Sequence, residues 1–125
     1  MCTWRDGATH VVIHVTDDTF LEAPAHFSGG FGSGPAAEHT YAQTSAALVA
    51  AQIHVGAFAQ LTPADCGAGT SANTAQGFLA PYHGMPSLPD ATSGRAWDIA
   101  QVRNGSLDMA TAINELIAAS HCAPF

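Results

Sequence analysis

The run Thr9-His10-Val11-Val12-Ile13-His14-Val15-Thr16 constrains the fold more than any other stretch of this chain. It is β-branched and almost continuously apolar, the pattern of a strand covered on both faces in a parallel sheet. It reads as a central strand, and it runs straight into Asp17-Asp18. From Asp17 to His39 the residues turn to Gly, Pro, Ser and Ala, including Ser28-Gly29-Gly30-Phe31-Gly32-Ser33-Gly34-Pro35, which cannot continue either regular structure. Next, Tyr41, Ser45, Leu48, Val49 and Gln52 fall at helical spacing and predict a helix over 39–52. Ile53-His54-Val55-Gly56-Ala57-Phe58-Ala59 follows as a second buried strand. Strand, helix, strand is the βαβ unit of a parallel sheet.

Leu61 to Pro89 is again rich in Gly, Pro and Ser, with a short helical turn expected between Ala72 and Tyr82. Ala96 to Val102 alternates in the manner of a half-exposed edge strand, and Asn104-Gly105 predicts a turn. Ser106 is then expected to cap a last helix, with Asp108 in its first turn and Met109, Ile113, Leu116 and Ile117 facing the core. The fold class is α/β, a Rossmann-like open and mostly parallel sheet flanked by helices, in a single segment over 1–125. An interior strand this close to Met1 has no helix before it and no partner on one side. The expectation is a domain truncated at its N-terminus, whose unpaired strand edge invites self-association.

Three arginines, no lysine and ten carboxylates give a formal net charge of -7. No basic patch can be assembled from that, so nucleic acid is a poor partner. The apolar runs fall short of the roughly 20 residues a membrane-spanning helix needs. The N-terminus lacks the basic and apolar regions of a secretory signal, which leaves the compartment of any longer parent unknown. Cys2, Cys66 and Cys122 are too widely separated for a zinc knuckle, and the sequence leaves their disulfide state open.

Asp17 and Asp18 lie where an open α/β sheet presents its ligand site, just beyond the carboxyl end of a strand. With the Thr16 hydroxyl they supply hard oxygen ligands of the kind Mg²⁺ accepts. His14 and His54, in the repeated Ile-His-Val, would stand side by side if their strands paired in register, but two imidazoles are too few for a closed zinc site. Interior hydrogen-bonded histidines are the simpler reading, and His26, His39, His83 and His121 read as surface residues. Catalysis lacks a visible constellation: there is no Gly-x-Ser-x-Gly elbow, no His-Glu-x-x-His, no dinucleotide fingerprint and no P-loop.

The segment Val11-Val12-Ile13-His14-Val15-Thr16-Asp17-Asp18 resembles the strand and "TDG" ending of von Willebrand factor A (vWA) domains, and the rest follows in the same order. Tyr41 to Gln52 corresponds to the next helix, Ile53 to Ala59 to the next strand, and Ala91-Thr92-Ser93-Gly94 to the family's "A-T-G-G". Ala96-Trp97-Asp98-Ile99 corresponds to the last strand and Met109 to Ile117 to the closing helix. The resemblance covers the C-terminal half of such a domain. It implies a metal-ion-dependent adhesion site, with Asp17 a ligand or water-mediated ligand of Mg²⁺ or Mn²⁺, Asp18 and Thr16 its supports, and a protein recognised through the cation. The family's Asp-x-Ser-x-Ser loop is missing from this sequence, and Asp18 replaces the usual glycine. Weak or absent metal binding in the isolated chain is therefore expected. The function implied is metal-assisted protein binding or adhesion without catalysis; the alternatives are a small α/β enzyme of unknown reaction and an inactive gene fragment.

Overall fold

The computed structural model describes residues 7–24, 36–67 and 69–121. Its central element is a three-stranded parallel sheet in the order β1-β2-β5, where β1 is His10–Thr16, β2 is Ile53–Ala59 and β5 is Arg95–Asp98. β1 pairs with β2 from His10 opposite Ile53 to Thr16 opposite Ala59, and β2 pairs with β5 from Gly56 opposite Arg95 to Ala59 opposite Asp98. The central strand is therefore β2, not β1. From His54 to Ala59 every residue of β2 is buried, whereas β1 alternates between half-buried and exposed. No further strand among the described residues pairs with the outer edge of β1, and Val12 and Val15 remain 38% and 51% exposed.

Helix α1, Tyr41–Ala50, starts where Thr40 and Gln43 form a reciprocal capping box: the Gln43 N–H donates to the Thr40 hydroxyl, and the Thr40 N–H donates to Gln43 Oε1. Asp108 caps the last helix, α4 (Met109–Ser120), its carboxylate accepting from the Thr111 N–H at 2.7 Å. The cap was expected at Ser106. Ser106 instead belongs to the turn before it, its N–H donating to Asn104 Oδ1. The turn at Asn104-Gly105 is present, with Gly105 at φ 78°.

Two other expectations hold only in part. The strand expected over Ala96–Val102 ends at Asp98, whose side chain accepts from the Ala100 N–H and starts a short helix, α3 (Ile99–Arg103). An alternating pattern gives way here to a local cap. Between Ala72 and Tyr82 no regular helix forms, but one hydrogen-bonded turn is present, the Leu79 N–H donating to the Ala75 carbonyl at 2.8 Å, flanked by isolated bridges. The Gly-rich stretch before it holds a hairpin of β3 (Ala64–Gly67) and β4 (Thr70–Ala72), and α2 (Leu88–Ala91) follows it under a Ser87 cap.

The sheet has two differently covered faces. Gly56 and Ile13 face α4, so close that a Cβ on Gly56 would collide with the Leu116 side chain, and Phe58 stacks on Trp97 at 4.8 Å. On the other face Ala57, Ala59 and Phe78 form the core, with Phe20, Leu79, Leu88 and Ala96 packed around them. Helix α1 lies on this second face and buries only Tyr41.

Candidate functional site

At the carboxyl end of β1 the chain turns through a local knot. The Thr16 hydroxyl accepts from the Asp18 N–H at 3.0 Å and donates to the Asp18 carbonyl, and Asp18 Oδ1 accepts from the Thr19 N–H at 2.7 Å. Asp18 thus closes the turn that the resemblance assigns to a glycine. Asp17 points elsewhere: its Oδ2 accepts from Arg103 Nη2 at 2.8 Å, an ion pair more than half exposed on both sides. Arg103 also reaches Gln60 Oε1, and Asp98 accepts from the Leu61 N–H, so the carboxyl ends of all three strands share one polar rim. No sequence signal points to Arg103, because α3 was read as strand.

With Arg103 seated on Asp17, these residues are not arranged to take a divalent cation. The Asp17 carboxylate is already neutralised by a guanidinium, and the Thr16 hydroxyl and one Asp18 oxygen are committed to the turn. Among the described residues no three His, Cys, Asp or Glu side chains converge on a point that would hold a metal.

The histidine pair is not assembled either. Register sets His14 opposite Ala57 and His54 opposite Val11, which also places the two imidazoles on opposite faces. His54 is 2% exposed and its Nδ1–H donates to the Thr92 carbonyl at 2.8 Å, the satisfied interior histidine expected. His14 is exposed, stacks on Phe78 at 4.7 Å, and is held below the ordinary imidazole pKa by partial burial. His39, His83 and His121 are exposed as expected. His26, the Gly29–Gly34 stretch, Cys2, Cys122 and the Cys66 side chain lie outside the described residues.

A second feature was not foreseen. Between α1 and β1 lies a cleft of about 250 Å³, floored by Val12, His14 and Val55 and walled by Phe20, Tyr41 and Leu48. Glu22 sits at its margin. The Tyr41 N–H donates to one Glu22 oxygen at 2.6 Å and the Tyr82 hydroxyl to the other at 2.5 Å. These two bonds, the backbone one foremost, hold the carboxyl below its usual range and keep it ionised at neutral pH. In return the Glu22 bond raises the Tyr82 hydroxyl pKa, and burial pushes Tyr41 up to about 12. The cleft was hidden because its lining is drawn from separated segments, the irregular stretches around Phe20 and Phe78 among them, which no local pattern links.

No helix among the described residues is long and apolar enough to cross a membrane. No family model, no curated protein and no solved structure matches the chain.

Proposed function

We propose that the chain is a non-catalytic protein-binding module of vWA-like kind, with the polar rim at the carboxyl ends of β1, β2 and β5 as its recognition edge. The observation that carries this reading is the Asp17 to Arg103 pair, set just beyond the carboxyl end of a parallel strand whose outer edge is open among the described residues. A parallel α/β sheet offers ligands this end because its loops and helix starts converge there. Asp17 is the contact residue and Thr16 and Asp18 shape its turn. A cation bridging Asp17 to a carboxylate of the partner is the version of this function that the resemblance implies. It requires Arg103 to leave, and so it is weak in this chain.

A thermal melt in millimolar Mg²⁺ or Mn²⁺ tests the cation. The unsubstituted chain should shift by no more than a degree or two. Arg103→Gln, which frees the carboxylate, should gain about 1.4 kcal/mol at a tenfold excess over Kd. The further substitution Asp17→Ala should remove that gain. A shift of several degrees that survives Asp17→Ala would place the ion elsewhere. Identical melts with and without metal in Arg103→Gln would remove the cation from the proposal.

A further inference from the structure

Among the described residues the cleft beside α1 leaves an apolar surface uncovered. It continues into a second hollow of about 560 Å³ that shares His39, Thr44 and Leu48 and is extended by Gln43 and Ala47 of α1, by Ala51 at its C-cap and by Ile53. Thr44, Ala47 and Leu48 recur at helical spacing and the C-cap Ala51 continues the same face, so one face of α1 lines the groove. The opposite wall is the outer half of the sheet, where Val12 stays exposed on the edge strand. A helix that lies on a sheet normally buries an apolar stripe along its length. Helix α1 buries one residue at its first turn and leaves Val49 40% exposed. The groove has helical length, an apolar floor and one ionised carboxylate at its margin.

Charge selects the occupant. Arg95 lies 3.9 Å from Glu115 and Arg103 is paired with Asp17, so neither described arginine serves Glu22. Among the described residues the hydrogen bonds on Glu22 come from neutral donors, and the nearby His83 imidazole also favours its charge. A second copy of the chain would bring another formal charge of -7 and no lysine, and the apolar stripe of α4 carries no basic residue in its last turn. The groove matches an amphipathic helix with aliphatic anchors and a Lys or Arg aligned to a carboxylate.

We propose that the groove between α1 and β1 receives a basic amphipathic helix of a different polypeptide, its aliphatic side chains over Val12, Val55 and Leu48 and a cationic side chain on Glu22. The proposal rests on the binding reading above and gives that partner its chemistry.

The probe is a fluorescent Leu/Lys amphipathic peptide of about 14 residues, four helical turns. Binding is read by anisotropy at about 0.15 M salt, where long-range attraction to an acidic protein is screened. Saturable binding is expected, weakened at least tenfold by Leu48→Asp and three- to tenfold by Glu22→Gln, the latter keeping one acceptor oxygen for the Tyr41 N–H while its amide NH2 donates to the Tyr82 hydroxyl. Glu115→Gln, which removes one exposed carboxylate from α4 on the other face of the sheet, should bind the peptide unchanged, and because the peptide assay needs no metal, failure at the groove is told apart from failure at the carboxyl rim. Circular dichroism of each variant shows that it is folded; should Leu48→Asp unfold, Glu22→Gln still decides. Peptide affinity indifferent to Glu22→Gln, or equal affinity for a Leu/Glu peptide, would overturn the proposal. A stable dimer that Leu48→Asp splits would give the groove to a second copy and overturn it as well.

Discussion

Gly94 stands directly against the Val55 peptide: a Cβ built on Gly94 would lie 2.7 Å from the Val55 carbonyl carbon and nearer still to its oxygen. The obstacle is backbone of the central strand, which cannot rotate away as a side chain can. Gly94→Ala should therefore cost about 2 kcal/mol or more, read as a fall in Tm of about 6 °C or more. A variant melting within a degree of the parent would show that the loop moves aside freely.

Thr92 ties the same strand to α2. It is fully buried, its hydroxyl accepts from the Val55 N–H at 3.0 Å and donates to the Leu88 carbonyl at 2.7 Å, and its own carbonyl takes the His54 proton. Thr92→Val keeps the shape and strands a buried N–H, a loss of about 1–3 kcal/mol. Thr92→Ser keeps the hydroxyl and should lose less. Urea midpoints that rank serine below valine would refute this assignment.

Glu22 and Tyr41 contribute to opposite limbs of the pH–stability profile, beside Asp108 and His14 on the acid side and Tyr82 on the alkaline side. The Glu22 pKa is depressed in the fold, so its contribution is present above the unfolded value near 4.5 and is lost as pH falls through the folded one. Tyr41 is raised from 10.0 to about 12, so its contribution is present below pH 10 and disappears as pH climbs from there to about 12. Tyr82 is raised too and adds to the alkaline loss. Tm plotted against pH should fall at both ends, with Glu22→Gln flattening the acid limb and Tyr41→Phe the alkaline one. Tyr41→Phe also loses the hydroxyl bond to the Pro86 carbonyl, so its plateau should sit lower. An alkaline limb as steep in Tyr41→Phe as in the parent would count against this origin.

The exposed Val15 on the open edge is the natural point of strand addition between copies. Val15→Lys should lower light scattering at high protein concentration and change stability by about 0.5 kcal/mol or less. Unaltered scattering would mean that association, if present, runs through another surface.

What the sequence revealed depended on whether local pattern or distant contact decided the element. The bounds of β2 are readable in Ile53–Ala59 because both of its faces are buried and apolar. The Asn104-Gly105 turn is equally local. In contrast, Ile99-Ala100-Gln101-Val102 alternates like a strand, yet Asp98 caps a helix there, a choice that only the end of pairing with β2 makes visible. Asp17 was found by its position at a strand end, while its partner Arg103 arrives from that misread helix. Glu22 and Tyr82 are sixty residues apart, and no periodicity links them.

Helix α1 is fastened at one end by Tyr41 and its capping box and is otherwise laid loosely on the sheet. Such an element opens at a small fraction of the global unfolding free energy, so its amides should exchange with solvent long before those of β2. Any occupant of the groove must first still this wall. Complex formation should then show a negative heat-capacity change, an unfavourable entropy term and a newly protected set of α1 amides.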